Sequence, residues 1–277
     1  MYYPRVLTVQ DISCVGQCSL TVALPVISAC GVETSVLPSS VLSTHTTGFH
    51  GFTFRDLSDD MPAICSHWKQ EGITFDAVYT GYLGSEQQID HVLSIFDTCA
   101  KDGARLIVDP AMADHGKLYP AFDMNFVSAM ARLAARADYL LPNLTEAAFL
   151  TGLPYKEQYD RSYIDSLLSA LTGLGSKCIV LTGVSYEPGK TGVVVYECGS
   201  YSYYCHEMLP NGSHGTGDIY ASVFTGALIR GKSAIEAASV AADFTVECIR
   251  TTAEIPGHWY GAAFEPNLGK LIARLEM

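Results

Sequence analysis

Short, mostly apolar runs rich in β-branched residues recur at positions 6–10, 34–38, 77–80, 106–108, 139–141 and 178–182. Most lack a polar alternate face, so they are expected to be strands covered on both sides. Segments with the helical period lie between several of them. After GYLGS at 81–85, Ile89, Val92, Leu93 and Phe96 fall at i, i+3, i+4 and i+7, and Ser85 is placed to cap that helix. Alternation of strand and helix predicts a largely parallel sheet. Residues 191–196 and 201–206, separated by a glycine-containing turn at 197–200, read as a hairpin extending one sheet edge with antiparallel strands. Beyond position 220 the pattern is helical only. The alanine-rich run 221–229 comes first, and then Ile235, Ala238, Ala242, Val246 and Ile249 share one face. The expected architecture is a three-layer α/β fold occupying 1–277 as one domain, which 277 residues with 48% hydrophobic content can support with a single core.

Charge narrows the partners. Seventeen basic residues stand against 29 acidic ones, giving −12, with no basic cluster. Nucleic acid is therefore not expected as a partner, because its recognition rests on neutralising backbone phosphates. An anionic nucleotide remains compatible if its charge is met locally by a cation and backbone N–H groups. Nine scattered cysteines without a CxxC pair suit a reducing compartment. Cys14 and Cys18 are expected to flank a helix start and pack as small core thiols. No apolar run reaches membrane-spanning length, and a cytoplasmic protein without membrane association is expected.

The segment with the most chemistry is NGSHGTGDIY at 211–220, a glycine-punctuated turn ahead of the alanine-rich helix. Gly215 and Gly217 allow backbone N–H groups to approach an anion, and the helix adds its unpaired first-turn N–H groups and dipole. Asp218 beside such a site repels phosphate unless it accepts a proton from a substrate hydroxyl. Polar clusters also follow the first, third, fourth and fifth strands, where ligands collect in open α/β sheets. Among them Asp109, Asp114 and Glu146 offer the oxygen donors a hard divalent cation requires, although Glu146 also has the spacing of a capping box with Asn143.

GTGD at 215–218 followed by a helix, with DPAM at 109–112 and PNLTE at 142–146, resembles the ribokinase-like superfamily of small-molecule kinases. GYLGS at 81–85, His45 with Thr46, and DPAMADHGKLY at 109–119 look like its pyridoxal (vitamin B6) kinase group. The resemblance implies a ribokinase-like fold with a mostly parallel central sheet. It also implies ATP-dependent phosphorylation of the 5′-hydroxymethyl of pyridoxal, pyridoxine or pyridoxamine. Asp218 would be the base, and the N–H groups of Gly215, Thr216 and Gly217 the anion hole. Ser13, His45, Thr46 and Tyr82 would line the pyridine pocket. Asp109, Asp114 and Glu146 would organise Mg²⁺ and its waters. Asn143, Thr182, Gly215 and Gly217 would serve the nucleotide. A monovalent cation is a further candidate cofactor, and a homodimer is implied. The chain departs from the pattern at Ala113, where the family has glycine, and in QDISCVG at 10–16. Phe49 and Phe52 are both candidates for the ring-walling aromatic. A hydroxymethylpyrimidine kinase and a non-catalytic binder of B6 or nucleotide stay open as rivals, with a sugar kinase the weaker third.

Overall fold

A computed structural model describes residues 3–209 and 214–276. In chain order its elements are β1 (Arg5–Ser13), α1 (Leu20–Ala29), β2 (Glu33–Leu42), β3 (Phe54–Asp56), α2 (Met61–Gln70), β4 (Phe75–Thr80), α3 (Glu86–Cys99), β5 (Ala100–Val108), β6 (Ala113–Asp114), β7 (Lys117–Leu118), α4 (Met124–Ala134), β8 (Tyr139–Leu140), α5 (Leu144–Thr151), α6 (Arg161–Leu174), β9 (Cys178–Val184), β10 (Lys190–Glu197), β11 (Ser200–Glu207), α7 (Thr216–Ile229), α8 (Ala234–Ala253), a 3₁₀ turn (Glu265–Asn267) and α9 (Leu268–Glu276). Each of the six apolar runs lies on a strand of the main sheet, and the 191–206 segment is the β10–β11 hairpin.

Among the described residues one nine-stranded sheet runs β11-β10-β9-β8-β5-β4-β1-β2-β3. Its interior pairings are parallel. At one edge β10 and β11 are antiparallel. At the other, the short β3 is antiparallel to β2, an edge the apolar pattern does not announce because all three of its residues are exposed.

The apolar strands are two-sided as their composition requires. Leu7, Val78, Leu106, Val108, Ile179 and Leu181 pack into a core that also takes Val92 of α3, Val127 of α4 and Leu167 of α6. Val6, Tyr79, Ile107 and Val180 pack on the opposite face with Val26 of α1, Phe224 of α7, Phe244 of α8 and Leu271 of α9. Ser85 caps α3 by accepting from the Gln88 N–H at 3.3 Å.

Two expectations change in part. On α8, Ala238, Ala242 and Val246 are buried as expected, but the buried stripe extends to Ala234, Ala237, Ala241, Phe244 and Cys248 and leaves Ile235 and Ile249 only half-buried. Small alanines let α8 lie close against α7, and the one large ring on that stripe fills the remaining space. Cys14 is exposed and Cys18 half-buried, both in the loop ahead of α1, so neither is a core thiol. Ala113 takes ordinary strand angles in a two-residue hairpin with Lys117–Leu118; the left-handed positions fall on His115 and Gly116. No helix is long and apolar enough to cross a membrane among the described residues.

Candidate functional site

The parallel strands deliver their carboxyl ends to one side of the sheet. Asp11 and Ser13 come from β1, Tyr82 follows β4, Asp109 follows β5, Asn143 follows β8, and Thr182 is on β9. Gly215 precedes α7 at φ 77°, a left-handed angle that favours glycine, and a Cβ there would collide with the Gln17 carbonyl oxygen. No side chain caps α7, and its first intrahelical bond runs from the Ile219 N–H to the Gly215 carbonyl. The N–H groups of Thr216 and Gly217 are thus free of intrahelical partners. Residues 211–213 of the glycine segment lie outside the described residues.

Asp218, third in α7, is half-buried as a residue, and the depth of its carboxyl group pushes it up to about 7. The Ser19 backbone opposes that rise, while Asp109 and Asp11 add to it. Asp11 is itself raised by burial, against hydrogen bonds from Ser19 and Ser13. Across the crevice Asp109 rises through burial and the neighbouring Glu146 charge, and Glu146 rises through burial. Among the described residues no basic side chain forms an ion pair with Asp109, Glu146 or Asp218.

Glu146 forms the capping box its spacing suggested. One carboxylate oxygen accepts the Asn143 N–H at 2.8 Å, completing a capping box with the Asn143 side chain. The other accepts the Met112 N–H at 3.1 Å. Asn143 also donates its side-chain amide to the Ala113 carbonyl at 2.8 Å, so the cap of α5 holds the 109–119 segment in place. Asp114 is exposed beside His115. Thr182 donates its N–H to the Pro142 carbonyl at 2.9 Å, setting β9 beside the same loop.

Among the described residues no three His, Cys, Asp or Glu side chains group tightly enough to enclose a metal ion. The donor set nevertheless fits a hydrated Mg²⁺, which takes one or two carboxylates and keeps several waters. A cation at this point would relieve the unbalanced charge of Asp109 and Glu146.

The residues expected at the pyridine ring are less uniform. Ser13 is buried and donates its hydroxyl to Asp11 at 3.1 Å. Tyr82 is half-buried against Phe122, with its hydroxyl raised to about 12 by burial and by Asp11. Thr46 is exposed. His45 is buried with both ring nitrogens engaged. Its Nδ1 accepts the Thr47 N–H at 3.2 Å, which leaves Nε2–H to donate to the Tyr260 carbonyl at 2.9 Å. His45 therefore braces the site as a neutral imidazole, packed edge-on against Phe49. Phe49 is the half-buried one of the two candidate aromatics, while Phe52 is exposed.

Several site residues escaped the sequence reading. Asp11 had a signal in its place directly after the first apolar run. Tyr119 closes the DPAMADHGKLY segment; its side chain is 37% exposed, while partial desolvation of the hydroxyl and the charges of Glu146, Asp109, Asp114 and Asp218 raise it. Gln17 and the loop after α8 gave no signal.

The profile of the phosphomethylpyrimidine kinase family matches residues 23–263. A Bacteroides thetaiotaomicron structure carrying the name phosphomethylpyrimidine kinase, in a crystal form with pyridoxal, is 36% identical with TM-score 0.91; the match covers 100% of this chain and 96% of that one. Pyridoxal kinase from Lactobacillus plantarum is 33% identical with TM-score 0.91 over 98% of each chain. Hydroxymethylpyrimidine/phosphomethylpyrimidine kinase of Bacillus subtilis is 27% identical over 229 residues, 81% of this chain and 80% of its own.

Proposed function

Because the chain belongs to the phosphomethylpyrimidine kinase family, we propose that it is an ATP-dependent kinase acting on the 5′-hydroxymethyl of pyridoxal, pyridoxine or pyridoxamine. The observation that carries this reading is Asp218, a half-buried residue whose desolvated carboxyl is raised to about 7 at the uncapped N-terminus of α7. A pure binding site for phosphate gains nothing from an acid there. A kinase needs one to take the proton of the attacking hydroxyl.

In the proposed reaction the acceptor oxygen loses its proton to Asp218 and forms a bond to the γ-phosphorus of ATP. The bond from that phosphorus to the β,γ-bridging oxygen breaks, and ADP leaves with the electron pair. The N–H groups of Gly215, Thr216 and Gly217 face the charge on the transferring group. Most acceleration in such transfers comes from alignment and charge stabilisation, so one well-placed base suffices. Asp109, Glu146 and Asp114, with Asn143 behind them, would hold Mg²⁺ and its waters. When bound, that ion supplies charge neutralisation for the phosphates. Tyr82 and Phe49 would flank the heteroaromatic ring, and Thr182 the nucleotide.

Pyridoxal in crystals of the Bacteroides relative and the Lactobacillus pyridoxal kinase support a B6 acceptor. The family profile and the Bacillus enzyme favour a second reading, hydroxymethylpyrimidine, which presents the same hydroxymethyl handle to the same base. Turnover measured with ATP against pyridoxal, pyridoxine, pyridoxamine and hydroxymethylpyrimidine decides between them. The expected result is kcat/KM highest for a B6 compound. A preference of about tenfold for the pyrimidine, worth about 1.4 kcal/mol, would replace the first reading by the second.

A further inference from the structure

The loop between α8 and the 3₁₀ turn crosses back over the carboxyl ends of the strands and meets three segments of the proposed acceptor site. Its Tyr260 carbonyl accepts from His45 Nε2 at 2.9 Å. Its Trp259 ring lies 4.7 Å from that of Phe49. Its Ala262 N–H donates to the His214 carbonyl at 3.0 Å, directly ahead of the anion-hole turn.

Gln17 joins these contacts. Its N–H donates to the Tyr260 carbonyl at 3.2 Å. Its side-chain carbonyl accepts from His258 Nε2 at 2.8 Å, and its amide donates to both carboxylate oxygens of Glu265 at 3.1 and 3.0 Å. On one flank its carbonyl presses on Gly215. On the other, Gly261 sits at φ 152° so close that a Cβ would lie 2.6 Å from the Gln17 Cβ. Gln17 thus packs directly against two glycines remote in the chain, and a shift of Gln17 bears on both.

We propose that Gln17 is a positioning residue for phosphoryl transfer: clamped by His258 and Glu265, it fixes the spacing between the Trp259–Phe49 aromatic wall and the Gly215 turn. This rests on the kinase reading and deepens it, because the wall meets the acceptor ring while the turn meets the phosphoryl group. Misplacement of reacting groups by about 1 Å can lower a rate about 10²-fold, so a residue that touches no substrate can still set kcat.

Gln17→Ala is expected to lower kcat about tenfold while KM for ATP stays within about twofold. Gln17→Glu sets a carboxylate against Glu265 and is expected to lose as much. Adding Glu265→Gln restores a donor–acceptor pair and is expected to recover kcat to within about threefold of the parent. Independently of activity, hydrogen exchange in Gln17→Ala is expected to quicken both at 258–262 and across the gap at 214–217. An active enzyme whose kcat is indifferent to Gln17→Ala, a double variant without rescue, or faster exchange confined to 258–262 would each overturn the proposal. A parent enzyme inactive on all four acceptors would overturn the kinase reading instead, and the exchange pattern would then decide the clamp alone.

Discussion

Replacing Asp218 by asparagine should cut turnover by orders of magnitude and stabilise the fold in the same stroke. The carboxyl titrates at about 7 in the folded protein against 3.8 for the unperturbed group, with burial as the main cause. A raised carboxyl binds more protons in the folded state than in the unfolded chain between those values, so stability falls as pH rises through that window. Each pH unit in the window is worth about 1.4 kcal/mol, which puts the full penalty at roughly 4 kcal/mol by pH 8 and about 1.5 kcal/mol at pH 5. Asparagine keeps the shape and carries no charge, so it escapes the penalty at every pH. Urea unfolding of metal-free parent and Asp218→Asn should therefore show the variant more stable at pH 8, with the gap narrowing by about 2 to 3 kcal/mol on going to pH 5. In parallel, kcat with ATP and pyridoxal should drop by about 10² or more while nucleotide binding persists. A variant no more stable than the parent at pH 8 would refute the buried-charge reasoning. Retained turnover would refute the base.

Two further outcomes bear on the opposite wall of the crevice. Asn143→Ala removes the cap on the Glu146 N–H and the tie to the Ala113 carbonyl; it should destabilise by about 1–2 kcal/mol and raise KM for ATP, and an unchanged unfolding midpoint would count against the cap. Asp109 and Glu146 both titrate above the ordinary carboxylate range, so protons compete with a cation as pH falls. Millimolar MgCl₂ should then raise Tm more at pH 8 than at pH 6, and a shift of equal size at both would argue against these carboxylates as the ion's holders.

Gln17 extends this picture beyond the groups that face substrate. Trp259, Phe49, His45 and His214 form a string of neighbouring rings that passes from the exposed Trp259 to the start of the Gly215 turn. Both ring nitrogens of His45 are spent on backbone partners, which makes it a strut in that string. Its motif position beside Thr46 suggested a direct ligand, because sequence shows that a histidine is present but not where its nitrogens are satisfied.

What the sequence alone determined here is whatever depends on neighbouring positions. Two-sided apolar runs announced the buried strands, the Ile89–Phe96 spacing and Ser85 announced α3, and Asn143 with Glu146 announced the cap of α5. The GTGD turn could be read as an anion site because glycine angles and a helix N-terminus are local properties. Only the tertiary structure decided which strand ends stand side by side. That ordering brings Asp11 to Asp218, Asp109 to Glu146, and the loop after α8 to Gln17, pairs remote in the chain with no periodicity linking them. It also decided the charge state of the site. A carboxyl far above its ordinary range is a consequence of shared burial and unbalanced neighbours, and both exist only once the sheet has placed those strand ends together.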